Sequence, residues 1–325
     1  MIAYIVRRML YAVPILIGVN LVTFILFFVV NTPDDIARSQ LGDRRVTDQA
    51  VENWKAERGY DKPVVLNAGE AGLDRFTETI FFEKSLKLFV FDFGRSDSGR
   101  DIGHDISQRM WPSLAIAVPT LLVGILVNIT FAMLIAFFRG SLLDFWGVVL
   151  CVILLSVSPL FYIIAGQYVL SKMFHLVPIS GYDTGLEAVK FLILPVIIGI
   201  IAGVGQGTRW YRTIFLEEVN KEYVRTARAK GLSELRVLFK HALKNALIPI
   251  LTGVVVILPQ LFMGSLIMES FFGIPGLGSY TIEAIQRQDF AIVRAMVFLG
   301  SVLYILGLLL TDISYTVVDP RVRLG

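Results

Sequence analysis

The sequence predicts an all-α membrane protein that crosses the bilayer six times. The chain has 325 residues, of which 55% are hydrophobic and only 18% are charged. Its mean hydropathy of +0.68 is too apolar for a water-soluble domain. A helix needs about 20 apolar residues to cross a bilayer core, and six runs have that length. The predicted spans are residues 9–30, 114–138, 145–170, 191–211, 246–271 and 295–318.

The first span is predicted to stay in the mature protein. Arg7 and Arg8 precede the apolar run Met9–Val30, as they would in a signal peptide. This run is longer than the apolar region of a signal peptide, and no small-x-small cleavage pattern follows it. Residues 1–30 are therefore expected to form the first transmembrane helix.

Basic residues predict that both termini are cytoplasmic. Six crossings place the basic parts of the chain on one side of the membrane. These parts are the two ends of the chain, Arg139 and the segment 209–244. That segment holds nine Lys or Arg against four Glu. Short cytoplasmic loops carry such an excess of basic residues. A stand-alone secondary carrier usually needs a charged relay at membrane depth, and no predicted span has a charged residue at its centre.

Residues 31–107 are predicted to form an external segment between the first two spans. A short helix is expected within Val46–Pro63, with Val51 and Trp54 on one face and Gly59 at its end. The glycine-rich stretch Phe91–Ile102 predicts turns. The segment has too few apolar runs to build a free-standing domain with its own core.

The polar segment Glu217–Lys244 predicts a helix, a glycine turn and a second helix. Its first apolar stripe comprises Leu216, Val219, Tyr223, Val224 and Ala227. Gly231 is placed to end the first helix, and the Ser233 side chain to cap the second. Such a hairpin either simply joins two spans at the membrane surface or docks into a partner protein.

The sequence YVRTARAKGLSELRVLFKHALKNALIPI, from Tyr223 to Ile250, favours docking. It closely resembles the cytoplasmic loop of ATP-binding-cassette (ABC) importer permeases of the dipeptide and oligopeptide branch. The general family has Glu-Ala-Ala-x-x-x-Gly, in which Ala227 and Gly231 match the second Ala and the Gly. Arg225 and Thr226 depart from that pattern, as does the absence of a later Ile-x-Leu-Pro. Both departures resemble the peptide branch.

The resemblance implies a type I ABC importer transmembrane domain over residues 108–316, a coupling loop over 212–244 and a cytoplasmic tail over 317–325. It implies a multi-pass permease of the inner (plasma) membrane that binds no cofactor itself. The expected partners are a second homologous permease, two cytoplasmic ATPase subunits that carry ATP and Mg, an external binding protein and membrane lipid. The ATPase-coupling residues implied are Glu222, Tyr223, Arg225, Ala227, Lys230, Gly231 and Leu232.

Four polar residues are predicted at membrane depth: Asn128, Gln167, Gln206 and Gln260. They either hydrogen-bond between helices or line a translocation pathway. The prolines in the middle spans also have two interpretations. They either cause ordinary helix kinks or produce bends that shape a central cavity.

The stretch Phe271–Phe290 between the last two spans resembles an external loop of the peptide branch. Its residues Gly273, Pro275, Gly276 and Gly278 interrupt any continuous helix. The resemblance implies that this loop faces the binding protein, and the alternative is a re-entrant turn with a structural role only.

Several other classes of protein are excluded or disfavoured. The chain has no Gly-x-x-x-x-Gly-Lys-Ser/Thr loop, and Gly203–Gly207 lies inside a predicted span, where small residues favour close helix packing. The three histidines, His104, His175 and His241, fall on both sides of the membrane, so they cannot share a metal site. No motif supports a membrane enzyme or a nucleic-acid binder. The substrate expected from the closest branch is a peptide, with nickel, oligosaccharide and glutathione as the alternatives.

Overall fold

The structure is a computed structural model that describes residues 2–42, 46–69 and 72–318. These residues form helices, together with one isolated β-bridge between Arg95 and Asp101. The α-helices are α1 Ile2–Ile25, α2 Pro33–Leu41, α3 Asp48–Arg58, α4 Asp74–Thr77, α5 Ile80–Lys84, α6 Ile102–Phe137, α7 Leu142–Ser156, α8 Pro159–Gly166, α9 Ala188–Val219, α10 Glu222–Ala229, α11 Glu234–Arg236, α12 Leu243–Ile257, α13 Leu266–Phe272, α14 Leu277–Gln286 and α15 Phe290–Val318.

Short π- and 3₁₀-helical turns extend or join several of these helices. The π turns are Leu26–Val30, Gln167–Met173 and Val237–Ala242, and the 3₁₀ turns are Leu86–Val90, Gly185–Glu187 and Leu258–Met263. Within the described residues, five continuous helices are long and apolar enough to cross a membrane, by length and composition. A sixth span is present if α7 and the helix over Pro159–Met173 are taken as one broken crossing.

Two predicted spans differ from the structure. The third is bent by 89° between Ser156 and Pro159, so that residues 145–170 do not form one straight helix. Pro159 starts α8 and Ser158 before it is extended, as the proline ring requires of the preceding residue. The fifth predicted span ends at Met263 rather than 271, because Gly264 follows with a φ of +69° that favours glycine.

The described chain divides into two compact units. One contains residues 2–42, 46–69, 72–109 and 280–309, and the other contains residues 110–279 and 310–318. The core of the first unit joins α1 to the segment that follows it: Phe24, Phe28, Ile36, Ala37, Val51, Trp54, Tyr60 and Ile80. Segment 31–107 therefore buries its apolar side chains partly against a predicted span rather than in a core of its own.

The short helix predicted within Val46–Pro63 is confirmed. It forms α3, which buries Val51 and Trp54 and ends at Gly59 with a φ of +67°. The turns predicted over Phe91–Ile102 are also present, around the bridge between Arg95 and Asp101.

The second unit packs its long helices closely. Its main core contains residues of α6, α9, α12 and the π turn before α12: Ala132, Met133, Ala136, Tyr211, Phe215, Leu238, Ala242, Ala246 and Ile250. A side chain at Gly205 would place its Cβ 2.5 Å from the Cys151 carbonyl oxygen. The prediction that the Gly203–Gly207 stretch serves helix packing is confirmed at this position.

Asp97, in the first unit, lies in a polar contact that depends on pH. Its side chain is only 16% exposed, its carboxylate lies 3.6 Å from Arg58 Nε, and its backbone amide donates to Asp289 Oδ2 at 3.0 Å. Burial and the nearby Asp289 charge raise the pKa of Asp97 to about 6. Because the folded pKa is raised, the protonated carboxyl stabilises the unit below pH 3.8, and this contribution is lost as pH rises through 6.

We expect Asp97→Asn to remove this pH dependence. The wild-type unit should lose up to ~3 kcal/mol of stability between pH 4 and pH 7.5, at 1.36 kcal/mol per pKa unit. Proteolysis of the segment 31–101 in detergent, measured across that range, checks the prediction. Asp61→Asn, at an exposed carboxylate, is the matched control and should keep the wild-type profile. An unchanged profile in Asp97→Asn would contradict the assignment.

Candidate functional site

The polar segment 217–244 forms a helical hairpin, as predicted. The chain leaves α9 at Val219, turns at Asn220 and Lys221, and forms α10. It then turns at Gly231, which has a φ of +74°, and enters α11, the π turn Val237–Ala242 and α12. Leu216 and Val219 belong to α9 and not to the first helix of the hairpin, because Lys221 is extended and breaks the helix before α10.

The inner face of the hairpin is a small apolar core. Val224, Ala227 and Val237 are buried, and Tyr223 and Leu232 pack against them. Val224 is fully buried, and Ala227 is 5% exposed. The predicted apolar stripe is thus confirmed at Tyr223, Val224 and Ala227, and it holds the two arms of the hairpin together.

The outer face of the hairpin is charged and exposed. Glu222, Arg225, Lys230 and Gly231 are exposed, and Arg225 pairs with Glu222 at 2.7 Å. Of the seven predicted coupling residues, these four can present themselves to a partner. Ala227 lies inside, and Tyr223 and Leu232 are half-buried, so these three support the surface from beneath.

The turn at Gly231 is held by backbone and side-chain contacts. Gly231 N donates to Arg228 O at 2.9 Å, and a Cβ at Gly231 would meet no atom within 4 Å. Arg228 reaches across the turn to Glu234, with contacts of 2.9 and 3.2 Å. Ser233 occupies the N-cap position, but the prediction that its side chain caps the helix is wrong, because that side chain makes no cap hydrogen bond.

Tyr223 connects the hairpin to the helix before it. Its hydroxyl donates to Glu218 Oε2 in the last turn of α9. Burial and the Glu218 carboxylate raise the pKa of Tyr223 to about 12. Sequence reasoning missed Glu218, since no local pattern pairs residues on either side of a turn.

The four polar residues predicted at membrane depth do not have one common role. Thr208 donates to Asn128 Oδ1 at 3.0 Å, which is an interhelical bond between α9 and α6. Gln167 donates to the carbonyls of Ile179 at 2.9 Å and Phe271 at 3.1 Å. Gln206 and Gln260 have exposed side chains. Asn128 and Gln167 therefore serve helix contacts, and the pathway interpretation stays a prediction that fits Gln206 and Gln260 better.

The glycine-rich stretch after Met263 divides into exposed and buried positions. Gly273 and Pro275 are exposed, whereas Gly276 and Gly278 are buried. Gly273 ends α13 with a φ of +63°, and Gly181 N donates to the neighbouring Phe272 O at 2.7 Å. Only Gly273 and Pro275 of the four predicted residues are thus placed to meet a partner.

A buried carboxylate organises this stretch. Glu269 is 1% exposed, and it accepts hydrogen bonds from the backbone amides of Ser265 and Ser279, each at 3.0 Å. Ser113 Oγ also hydrogen-bonds Glu269 and accepts from Leu277 N at 2.8 Å. Burial raises the pKa of Glu269, and these hydrogen bonds oppose the rise. A Cβ at Gly276 would lie 2.3 Å from Glu269 Oε2, so any larger residue there would displace this carboxylate.

We expect Glu269→Gln to destabilise the stretch between Gly264 and Ser279. The glutamine amide would turn N–H groups toward backbone N–H donors and leave a buried amide unpaired, at a cost of about 1–3 kcal/mol. Thermal unfolding of the detergent-solubilised protein should show a lower Tm. Glu187→Gln, at a carboxylate whose side chain is 66% exposed, is the control. Equal Tm values for the two variants would contradict the role of Glu269.

Comparisons with known proteins agree with this architecture. Residues 128–324 match the family described as the binding-protein-dependent transport system inner membrane component, and residues 1–87 match the N-terminal component of such proteins. A putative peptide transport system permease of Brucella abortus is 32% identical over 99% of both chains. The dipeptide transport system permease DppB of Escherichia coli is 30% identical over 99% of both chains. The oligopeptide permease AppB of Bacillus subtilis is 28% identical over 99% of this chain and all of its own.

The chain therefore belongs to the family of binding-protein-dependent transport system inner membrane components. It is a multi-pass permease subunit of an ABC importer in the inner membrane, and the predicted resemblance is confirmed. A permease of this family works with an ATPase and with a substrate-binding protein. It is a transport component and not an enzyme. Among the described residues, no group of three or more His, Cys, Asp or Glu could hold a metal ion.

Proposed function

We propose that this chain forms half of the translocation pathway for di- or oligopeptides, which an external binding protein delivers. The observation that carries the proposal is the hairpin at 217–244, whose apolar face is packed inward and whose charged face is left exposed. Peptides are favoured as the substrate because relatives aligned over almost the whole chain are named as peptide permeases. Nickel, oligosaccharide and glutathione remain the alternatives.

The complete importer contains a second homologous permease and two cytoplasmic ATPase subunits, which bind ATP and Mg. The hairpin and both termini are cytoplasmic in this proposal, and segment 31–107 and the stretch Phe271–Phe290 are external. The excess of basic residues in the hairpin supports that orientation. From residue 319 onward, the cytoplasmic tail predicted over residues 317–325 lies outside the described residues.

Energy reaches this chain through the hairpin. ATP-driven closure of the ATPases moves α10 and the turn up to Ser233, and this movement changes the tilt of the neighbouring spans. For this to shift the permease between inward-open and outward-open states, the hairpin must bind the two ATPase states with different affinities. The exposed Glu222, Arg225 and Lys230 supply the charged surface for that contact.

We expect Gly231→Val to reduce substrate uptake about tenfold or more without reducing the amount of protein in the membrane. Valine at a φ of +74° is strained by roughly 1–2 kcal/mol, so the turn between α10 and α11 would change its angle. Gly94→Val is the matched control, because Gly94 has a φ of +72° and equally open surroundings but lies in segment 31–107. Normal uptake by Gly231→Val would contradict the coupling role of the turn.

Assembly is tested by purification of the tagged chain in mild detergent. An ATPase and a second permease should co-purify with the wild type. Ala227→Trp should lose the ATPase, because Ala227 is 5% exposed and the larger side chain would force α10 out of its place. Ala68→Trp, at an exposed alanine in segment 31–107, is the control and should retain the ATPase. A wild-type chain that purifies alone, folded and stable, would contradict the proposed function.

The substrate class is tested by competition. Uptake of a labelled dipeptide into cells that contain the importer should be reduced by unlabelled di- and oligopeptides. It should be unaffected by nickel, oligosaccharide or glutathione. Competition by one of these three and not by peptides would replace the peptide assignment with that alternative.

A further inference from the structure

We infer that the hydrogen bond between Glu218 and Tyr223 makes movement of α10 move the end of α9. This inference rests on the proposed function of the hairpin and assigns positioning roles to Glu218 and Tyr223. We call the two residues the hydroxyl link, because they meet at the Tyr223 hydroxyl group.

The link joins two helices. Glu218 lies in the last turn of α9 and Tyr223 in the first turn of α10. A displacement of the Tyr223 hydroxyl group must therefore displace the end of α9 or break this hydrogen bond.

The link bridges the point where the chain can bend. Helix α9 stops at Val219, and only Asn220 and Lys221 separate it from α10. Without a contact across this break, α10 could swing while α9 stays in place. The bond from Tyr223 to Glu218 spans the break, and the ion pair of Lys221 with Glu218 closes it further.

The hydroxyl group is suited to carry a directional contact. Glu218 is 7% exposed, and hydrogen bonds to an ionised carboxylate are roughly twice as strong as neutral ones. With its pKa raised to about 12, Tyr223 remains the donor at neutral pH. The apolar core of Val224, Ala227 and Val237 is non-directional and holds the arms of the hairpin together at many relative angles. The link fixes the angle at which α10 meets α9.

The experiment uses the whole importer in lipid vesicles, with the binding protein and substrate outside and ATP supplied to the ATPases. The measured quantity is substrate transported per ATP hydrolysed. Tyr223→Phe removes only the hydroxyl group and should lower this ratio about tenfold, the effect expected from losing one charge-assisted hydrogen bond. Glu218→Leu should lower it similarly, and Glu218→Gln should lower it less because its carbonyl can still accept.

Tyr211→Phe is the matched control. Tyr211 also lies on α9 and is buried in the neighbouring core, but its hydroxyl group is not part of the link. Tyr211→Phe should keep the wild-type ratio. A purely structural role of Tyr223 would appear as a lower Tm with an unchanged ratio, and that result would overturn the inference.

Co-purification separates this inference from the proposed function. Tyr223→Phe should retain its ATPase, because the link lies behind the exposed docking face. Loss of the ATPase from Tyr223→Phe would mean that the residue serves docking rather than transmission, which would overturn the inference alone. A wild-type chain with no ATPase would instead contradict the proposed function itself.

Discussion

A bilayer core cannot solvate a lone charge or an unpaired backbone amide, and the rest of this structure depends on that constraint. The predicted spans keep charged residues away from their centres, and where Asp144 and Arg212 enter helices they pair with each other at 2.7 Å. Within the described residues, no predicted span has a charged residue at its centre. We propose that the free energy for transport enters at the ends of the helices, where polar contacts are possible.

Two buried carboxylates hold the places where the helices of the second unit are interrupted. Glu269 gathers the backbone amides of the glycine-rich stretch after Met263, where no helix can continue. Glu218 receives the Tyr223 hydroxyl across the break between α9 and α10. In both places one carboxyl group accepts from several donors, and these directional contacts fix an angle that apolar packing alone would leave free. Helix interruptions are where a transporter can change shape, so the same residues that hold them determine how they move.

The sequence predicted those features that depend on neighbouring residues. Helix α3 with its end at Gly59, the turn at Gly231 and the buried pair Val224 and Ala227 all follow from local spacing. The 89° bend at Pro159 did not, because a proline in an apolar run is equally compatible with a mild kink. The hydroxyl link and the Glu269 contacts were also missed, since they cross breaks between helices, where helical spacing does not apply. Ser233 shows the converse, in that a favourable capping residue stands at the right position without making the bond.

A measurement of which energy source drives uptake tests the role of the hairpin most directly. The assembled importer would be placed in vesicles with binding protein and labelled dipeptide outside, and uptake would be measured with ATP alone and with a proton gradient alone. The account predicts uptake with ATP that an ionophore does not reduce, and no uptake from the gradient. Uptake driven by the gradient without ATP would show that energy enters within the spans, and it would contradict the role assigned to the hairpin.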